Sequence, residues 1–406
     1  MNSSATALIA ATMDTKGQEA LYIAECLEKE GVSTCLMDAG IRGHCPAAVS
    51  VTREEVARAA GTTLTEVQGI PQEGRALGIM TTGAARKARD LFRQGKIRGI
   101  IGLGGSMGTT LASGVMRSFP IGFPKVMIST MASRDTRAFV GTKDIMMLHS
   151  VCDLSHLNRV TRKILKNGAL ALAGMVRQPV SDEISALPPP VLLSTLGTTE
   201  VCAQALRKGL ENLGHEVIMY HTNGSGGSAM EEMIDSEPIA AVVDLSLHEI
   251  GDHLFGGDYD AGPARGAAAL ERGIPTILVP GNIDFLVTGP FEKAQKQFPD
   301  RPYHIHNEAI TVVRTGPTEI ELIAKRVAEL CDRASETAGV WVPMKGLSAF
   351  DSAGGPLHDP AGPEIFAAAF EASLKNESSL NRSPHHINDP EFSEIIFKAL
   401  TQLLER

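Results

Sequence analysis

The chain has 406 residues, which at ~150 residues per domain predicts two or three domains. Hydrophobic residues make up 43% and charged residues 21%, as in an average globular protein, but aromatic residues only 4%. So few aromatic residues argue against a stacking surface for single-stranded nucleic acid, and the net charge of −9 argues against general nucleic-acid binding. Local phosphate binding by backbone amides stays open, because it needs no net positive charge.

Cysteine spacing and hydropathy predict a reduced protein without a membrane span. No CxxC pair occurs among the six cysteines, so neither a disulfide framework nor a zinc ribbon is indicated. The first twelve residues lack the basic and apolar regions of a signal peptide. No apolar stretch approaches the ~20 residues that cross a bilayer. We therefore expect a cytoplasmic protein.

Short apolar runs alternate with amphipathic stretches along the first part of the chain, which is typical of α/β proteins. Strands are predicted at Ala5–Ala11, Val32–Asp38, Leu77–Thr81, Ile97–Gly102 and Lys125–Ser129. Helices are predicted at Gly17–Glu30, at Leu157–Val176, from Ser106 to about Ser118, and after a cap formed by Thr52 and Glu55.

The pattern then restarts after a proline-rich segment. Gln178–Pro190 holds four prolines and no apolar period, which indicates an interdomain linker at 181–190. Beyond it, strands are predicted at Val191–Thr195, Val217–His221, Ile239–Leu245 and Thr276–Val279, and helices at Val201–Leu213, from Ala229 and at Asn388–Arg406. Gly339–Pro363 is rich in Gly, Pro and Asp and is predicted as loop.

Repeated βα units with short connections predict two Rossmann-like, doubly wound α/β domains with mainly parallel sheets, at 1–180 and 191–406. Ligands of such sheets lie beyond the carboxyl ends of the strands, so we expect a cleft between the two domains.

Two glycine-rich segments stand between a strand and a helix. Gly102–Thr110 (GLGGSMGTT) lets the backbone approach a ligand, and the following helix offers free amides to phosphate or carboxylate. It is neither a Walker A loop nor a strict GxGxxG, and a tight structural turn is the alternative. Asn223–Ser228 (NGSGGS) has the same context, with a flexible polar loop as its alternative.

Four further segments follow predicted strands and carry polar groups. In Met13–Gly17, Lys16 can meet a phosphate and Asp14 a hydroxyl or Mg²⁺, although Asp14 and Thr15 can equally cap a helix. Ser129–Asp144 is either a site loop or a solvated charged loop, and Val279–Asp284 either closes the cleft through Asn282 and Asp284 or is a turn. In Asp244–Gly257, HExxxH spacing puts the histidines on different helix faces, which disfavours a metal site.

The motifs ATMDTKGQEALYIAECLEKEG, GLGGSMGTT, SxMASxDT, HTNGSGGSAMEEM and HHINDPEF resemble a family of uncharacterised bacterial and fungal proteins. Its domain also forms the N-terminal, ATP-binding inhibitory part of the tomato mosaic virus resistance protein. The resemblance covers Ala10 to Phe392 and implies two Rossmann-like subdomains, a homodimer and bound ATP. The sequence departs from the family at Arg134, where we expect Gly, and at Ser246–Glu249, where SLHE replaces TTTE.

Carried over by motif, the resemblance implies one nucleotide site with parts from both domains. The implied residues are Asp14, Thr15, Lys16, Gly105, Ser106, Gly108, Thr109, Gly226, Gly227, Glu249 and Asn282, with Arg75 as a further phosphate contact.

Three functions follow as hypotheses. The first is an ATP-binding protein in which Asp14 or Asp135 is the partner of Mg²⁺. The second is an enzyme acting on a small phosphorylated or carboxylated metabolite, with Lys16, Asp135 and Glu249 as acid–base residues. The third is a non-catalytic regulator whose ligand changes a protein surface.

Overall fold

A computed structural model describes residues 6–177, 187–334, 339–376 and 378–405. The chain divides into two compact units, Met1–Ile184 and Ser185–Arg406. Residues 181–186 of the predicted linker lie outside the described ranges.

The first unit is built on one parallel sheet of five strands. Its strands are β1 (Thr6–Ala11), β2 (Ser33–Asp38), β3 (Gly99–Gly104), β4 (Lys125–Ser129) and β5 (Met146–His149). Its helices are α1 (Met13–Lys29), α2 (Arg53–Ala59), α3 (Leu64–Gln68), α4 (Glu73–Arg93), α5 (Ser106–Met116), α6 (Arg137–Val140) and α7 (Arg159–Arg177). The strand order is β2-β1-β3-β4-β5, and every pairing is parallel.

Helices cover both faces of this sheet, so its central strands are apolar on both sides. In β1, Leu8 belongs to the hydrophobic core formed with α4 and α5. Ile9, the next residue, points to the opposite face and belongs to the core formed with α1 and α7. The predicted doubly wound arrangement is confirmed for this unit.

The predicted strand Leu77–Thr81 is wrong, because these residues lie inside α4. Ala76, Leu77, Met80, Ala84 and Ala88 are buried on one face of that helix, at helical spacing. A five-residue apolar window is too short to distinguish the two periods, and the helical period becomes visible only over the whole segment.

The second unit has a six-stranded parallel sheet and a small antiparallel sheet. The parallel strands are β6 (Val191–Thr195), β7 (Val217–His221), β8 (Ala241–Ser246), β9 (Thr276–Gly281), β13 (Gly339–Pro343) and β14 (Ser379–Ser383), in the order β14-β13-β9-β8-β6-β7. The antiparallel strands are β10 (Phe285–Thr288), β11 (Tyr303–Asn307) and β12 (Ile310–Arg314), in the order β10-β12-β11.

The helices of the second unit are α8 (Glu200–Asn212), α9 (Ser225–Ser236), α10 (His248–Phe255), α11 (Ala268–Glu271), α12 (Phe291–Gln297), α13 (Pro317–Asp332), α14 (Gly362–Ser373) and α15 (Pro390–Leu404). Read from β7, its parallel sheet begins in the same way as the first sheet. The opening strand of the unit, β6, lies between its second strand, β7, and its third strand, β8. The predicted mainly parallel α/β fold is thus confirmed for both units.

Two expectations for the second unit are corrected. Gly339–Pro363 is not wholly loop, because β13 occupies its first five residues, where Val340 and Val342 are buried. The predicted helix Asn388–Arg406 begins at Pro390, and the carboxylate of the preceding Asp389 accepts from the backbone N–H of His386 at 2.8 Å instead of making a capping hydrogen bond to α15.

None of the helices in the described ranges combines the length and apolarity that a bilayer span requires. All six cysteines are free thiols.

Candidate functional site

The first candidate site lies where the order of the first sheet reverses, between β1 and β3. Ala10 pairs with Gly102 in parallel register, which brings the segment after Ala11 level with the segment after Leu103. In sheets of this order, the crevice at that point is the usual ligand site. Two predicted groups therefore meet at one sheet edge: Asp14–Lys16 and Gly105–Thr109.

The glycines of the Gly102–Thr110 segment stand at their positions for different physical reasons. A Cβ on Gly102 would lie 2.3 Å from Cβ of Ala112, and one on Gly108 would lie 2.9 Å from the carbonyl oxygen of Leu103. Helix α5 can pack against β3 only because these side chains are absent. At Gly105 a Cβ would meet only Oγ1 of Thr130, at 3.7 Å. Packing does not require glycine there, which leaves close approach of a ligand as a reason for it.

The hydroxyl groups of this loop are also of two kinds. Thr109 is fully buried, donates to the carbonyl oxygen of Gly105 at 2.7 Å and shares a hydrogen bond with Ser129 at 2.6 Å. Ser106 is exposed at the first position of α5, and its hydroxyl has no partner among the described residues. Of the two, Ser106 is the one that a ligand can reach.

Lys16 and Asp14 differ in the hydrogen bonds and ion pairs that they make with the rest of the fold. Lys16 is half-buried at a kink in α1, and its ammonium makes no ion pair with any described residue. The backbone N–H of Arg42 donates to Oδ2 of Asp14 at 3.2 Å, while the buried Oδ1 has no hydrogen-bond partner in the described ranges. Burial raises the pKa of Asp14, and the positive charge of Arg53 opposes that rise. Thr15 is exposed and shares a hydrogen bond with Thr12 at 2.9 Å.

A buried ion pair that we did not predict holds the loop around Asp14. Nε of Arg53 donates to Oδ2 of Asp38 at 2.7 Å, and Nη1 donates to the carbonyl oxygens of Arg42 and Gly43. Oδ1 of Asp38 accepts from the backbone N–H groups of Met13 and Gly40. The position of Asp38 at the end of a predicted strand is the sequence signal that points to this residue.

The charged loop after β4 is held by its own pairs. Arg137 binds Asp135 through both carboxylate oxygens, and this pairing lowers the pKa of Asp135 to about 2. The buried ammonium of Lys125 contacts Asp144 at 2.5 Å. Arg134 is exposed in this loop. At neutral pH Asp135 is an ionised, weakly basic carboxylate on the surface.

Arg75 lies in the first turn of α4, not before a strand, and is exposed.

The second glycine segment is held from inside by Glu249. This side chain is fully buried, and its Oε1 accepts from the backbone N–H groups of Gly224 at 2.6 Å and Gly227 at 3.1 Å. A Cβ on Gly227 would lie 1.8 Å from Oε2 of Glu249, and one on Gly226 would lie 1.8 Å from the carbonyl oxygen of His221. Packing alone accounts for both glycines.

Arg265 joins three carboxylates beneath that loop. Its guanidinium contacts Glu249 at 2.7 Å, Asp244 at 2.5 Å and Glu231 at 3.3 Å, and only 1% of the residue is exposed. The three acidic neighbours raise its pKa against the opposing effect of burial, and burial raises the pKa of Glu231. Arg265 follows no strand, so position relative to a sheet edge did not predict it.

Asn282 joins the loops after three strands of the second sheet. It is fully buried with φ of 60°, a conformation that Asn tolerates better than most residues. Its Nδ2 donates to Oγ of Ser246 at 2.8 Å, and Oγ1 of Thr198 donates to its Oδ1 at 2.6 Å. These bonds occupy both ends of the amide.

No group of histidine, cysteine or acidic residues in the described ranges is arranged to hold a metal ion. In the HExxxH segment, His248 is buried and burial lowers its pKa to about 3, whereas His253 contacts Asp260 at 2.9 Å. The two histidines therefore lie in different environments.

Two Rossmann-like parallel α/β units in one chain define the class of protein. The chain belongs to the UPF0261 family: "Uncharacterised protein family (UPF0261) N-terminal domain" matches residues 5–181, and "Uncharacterised protein family (UPF0261) C-terminal domain" matches residues 189–404. The family resemblance predicted from the motifs is confirmed.

Relatives include full-length and partial matches. A UPF0261 protein of Clostridium tetani is 37% identical over 403 residues, which are 98% of this chain and 99% of that protein. The ToMV resistance protein Tm-1(GCR237) of Solanum lycopersicum is 34% identical over 336 residues, which are 81% of this chain and 45% of that protein. This chain therefore matches less than half of the tomato protein.

Among solved structures, a glycosyltransferase of Streptomyces sp. SF2575 complexed with thymidine diphosphate is 15% identical, with 68% of this chain and 82% of that chain covered and a TM-score of 0.19. A UDP-GlcNAc 2-epimerase of Methanocaldococcus jannaschii is 9% identical, with 98% and 99% covered and a TM-score of 0.19. Scores of this size carry no argument about the ligand.

Proposed function

We propose that this chain binds a nucleotide, with ATP as the expected ligand, at the carboxyl edge of the first sheet. The observation that carries the proposal is the register of β1 and β3, which places Lys16 and the Gly105–Ser106 turn at the same edge. The phosphates would lie against the amino end of α5, with Lys16 as the counter-charge.

Three features of this edge support phosphate binding. Gly105 is free of packing constraints, the Ser106 hydroxyl has no partner among the described residues, and Lys16 has no counter-ion there. An eleven-residue helix begins directly after Gly105, so unpaired backbone amides and the positive end of a helix dipole are available.

The first test is a thermal-shift titration of the whole chain with ATP, ADP, AMP and GTP, with and without Mg²⁺. A ligand at 100 times its Kd stabilises by ~2.7 kcal/mol. That corresponds to a rise in Tm of roughly 2 °C or more for domains of this size. Absence of a shift with every nucleotide would overturn the proposal.

The second test is Ser106→Asp, followed by calorimetric titration with ATP. A carboxylate beside the phosphates should weaken ATP binding more than ~10-fold by like-charge repulsion. Thr82→Asp is the matched control, because Thr82 is an exposed hydroxyl residue in the middle of α4. Equal ATP affinity in the two variants would place the phosphates elsewhere.

For the second unit, we propose that Gly226, Gly227, Glu249 and Asn282 position the start of α9 and the ends of the strands rather than touch the nucleotide directly. Each is explained by internal packing or hydrogen bonds. Direct contact of these four residues with ATP, which the family resemblance implies, is the alternative to this proposal. Arg75 as a phosphate contact, the acid–base roles of Lys16, Asp135 and Glu249, the role of regulator and the homodimer stay predictions.

A further inference from the structure

A cavity of about 470 Å³ opens beside Asp14 in the first unit. Its walls come from the start of α1, the loop after β2, the segment before α7 and the first turn of α7, and include Asp14, Glu19, His44, His156 and Arg162. Cavities of this size hold small-molecule ligands. Of these five residues, only Asp14 was predicted to contact a ligand.

Two carboxylates in this wall each have a buried oxygen without a hydrogen-bond donor among the described residues. Glu19 is only 2% exposed, and its buried Oε1 has no hydrogen-bond partner among the described residues. Oδ1 of Asp14 is likewise buried without a donor in the described ranges. A buried carboxylate normally has partners, because leaving one unsatisfied costs free energy. A ligand that donates hydrogen bonds would supply what the fold leaves out.

Positive and imidazole groups lie at the exposed part of the same wall. His44, His156 and Arg162 are exposed, and the guanidinium of Arg162 lies 4.9 Å from the ring centroid of Tyr22. The described acidic and histidine residues do not form a metal-binding group, so the two carboxylates are not arranged to hold a metal ion. Carboxylate oxygens only accept hydrogen bonds, so neutral hydroxyl groups of a ligand are suitable donors to them. The ligand need not bring a positive charge, because Arg162 already supplies one at the cavity wall.

We propose that this cavity is a sugar subsite, in which vicinal hydroxyl groups of a ligand donate to Asp14 and Glu19. The inference rests on the proposed nucleotide site for the source of the sugar: Asp14 belongs both to the cavity wall and to the segment beside the Gly105 turn. The ribose of a nucleotide whose phosphates lie at that turn is then the group that enters the cavity.

The test compares ATP with 2′,3′-dideoxy-ATP by calorimetric titration of the wild-type chain and of Glu19→Gln. Hydrogen bonds to a charged acceptor are strong, so loss of both hydroxyls should weaken binding at least ~10-fold in the wild type. In Glu19→Gln this preference should fall several-fold, because the charged acceptor is gone. Glu25→Gln, an exposed change on the same helix, should keep the wild-type preference.

Ribose 5-phosphate, titrated alone, separates the two proposals. If ATP does not bind but ribose 5-phosphate binds and is weakened by Glu19→Gln, the nucleotide proposal fails and the sugar subsite stands. If ATP and its dideoxy form bind equally well to the wild type, the subsite is overturned while the nucleotide site stands. If neither ATP nor ribose 5-phosphate binds, both are overturned.

Asp14→Asn provides a second variant in case Glu19→Gln does not fold, as judged by circular dichroism. It should also reduce the preference for ATP over dideoxy-ATP. An unchanged preference in the folded variant would overturn the role of Asp14.

Discussion

Arg265 and Asp244 form a two-point ion pair inside the second unit, with Nη1–Oδ2 at 2.5 Å and Nη2–Oδ1 at 2.7 Å. Asp244 is on β8, and it also accepts from the hydroxyl of Ser194 on β6 at 2.6 Å. Through Glu249, the same guanidinium fixes the NGSGGS loop. One buried cation thus connects the centre of the sheet to a segment that sequence alone assigns to ligand binding.

Replacing this cation should be strongly destabilising. In Arg265→Met the carboxylates of Asp244 and Glu249 lose their buried counter-ion, which typically costs ~3–5 kcal/mol. Urea unfolding measures the change. Arg272→Met, at an exposed position beyond α11, should change the free energy of unfolding by less than ~0.5 kcal/mol. Similar stabilities of the two variants would contradict the role assigned to Arg265.

Gly227→Ala tests whether this glycine serves packing. The new Cβ would lie 1.8 Å from Oε2 of Glu249 and 2.5 Å from Nε of Arg265, so we expect destabilisation of ~1–3 kcal/mol. Gly197→Ala is the control, since a Cβ there meets nothing within 4 Å. Unchanged stability of Gly227→Ala with weakened ATP binding would instead favour direct contact with the ligand.

Asp284 should make stability fall as pH rises. Burial and the neighbouring charge of Asp351 raise the pKa of Asp284 from 3.8 to about 8. Between those values the native state binds more protons than the unfolded state, so this group stabilises the fold fully below about pH 4 and loses that contribution up to about pH 8.

Urea unfolding from pH 5 to 9 measures this effect, with a slope of up to ~1.4 kcal/mol per pH unit from the one group. Asp284→Asn should flatten the profile, because no proton is then bound or lost at that position. Asp300→Asn, on an exposed turn, should keep the wild-type profile. A wild-type profile in Asp284→Asn would show that other groups set the pH dependence.

Asp38→Ala should weaken both the fold and the predicted ATP site. It removes the acceptor for Arg53 and for the backbone N–H groups of Met13 and Gly40, at a cost of ~3–5 kcal/mol. Chemical unfolding and ATP titration measure the two effects. Asp90→Ala, in an exposed pair 3.9 Å from Arg93, should alter neither. If the destabilised Asp38→Ala variant kept wild-type ATP affinity, the loop that Asp38 and Arg53 hold would not be part of the ATP site.

Strand and helix periods predicted most elements of the first unit and the first four parallel strands of the second, because buried parallel strands leave short apolar runs that need no tertiary information. Leu77–Thr81 failed for the opposite reason: a short apolar window fits either period, and packing of α4 on the sheet decides it. β10 and β12 were also missed, since their pairing joins segments more than twenty residues apart.

The sequence by itself determined the family, the two-unit α/β architecture and which loops follow the strands, because these depend on local pattern and motif. Only the tertiary structure decided which polar groups of those loops already have hydrogen-bond or ion-pair partners within the protein. Folding pairs Glu249 with Arg265 and both ends of the Asn282 amide with hydroxyl groups, but it leaves Lys16, Ser106 and Glu19 without partners in the described ranges. Partner availability is a property of side chains brought together from distant positions, and no local pattern encodes it.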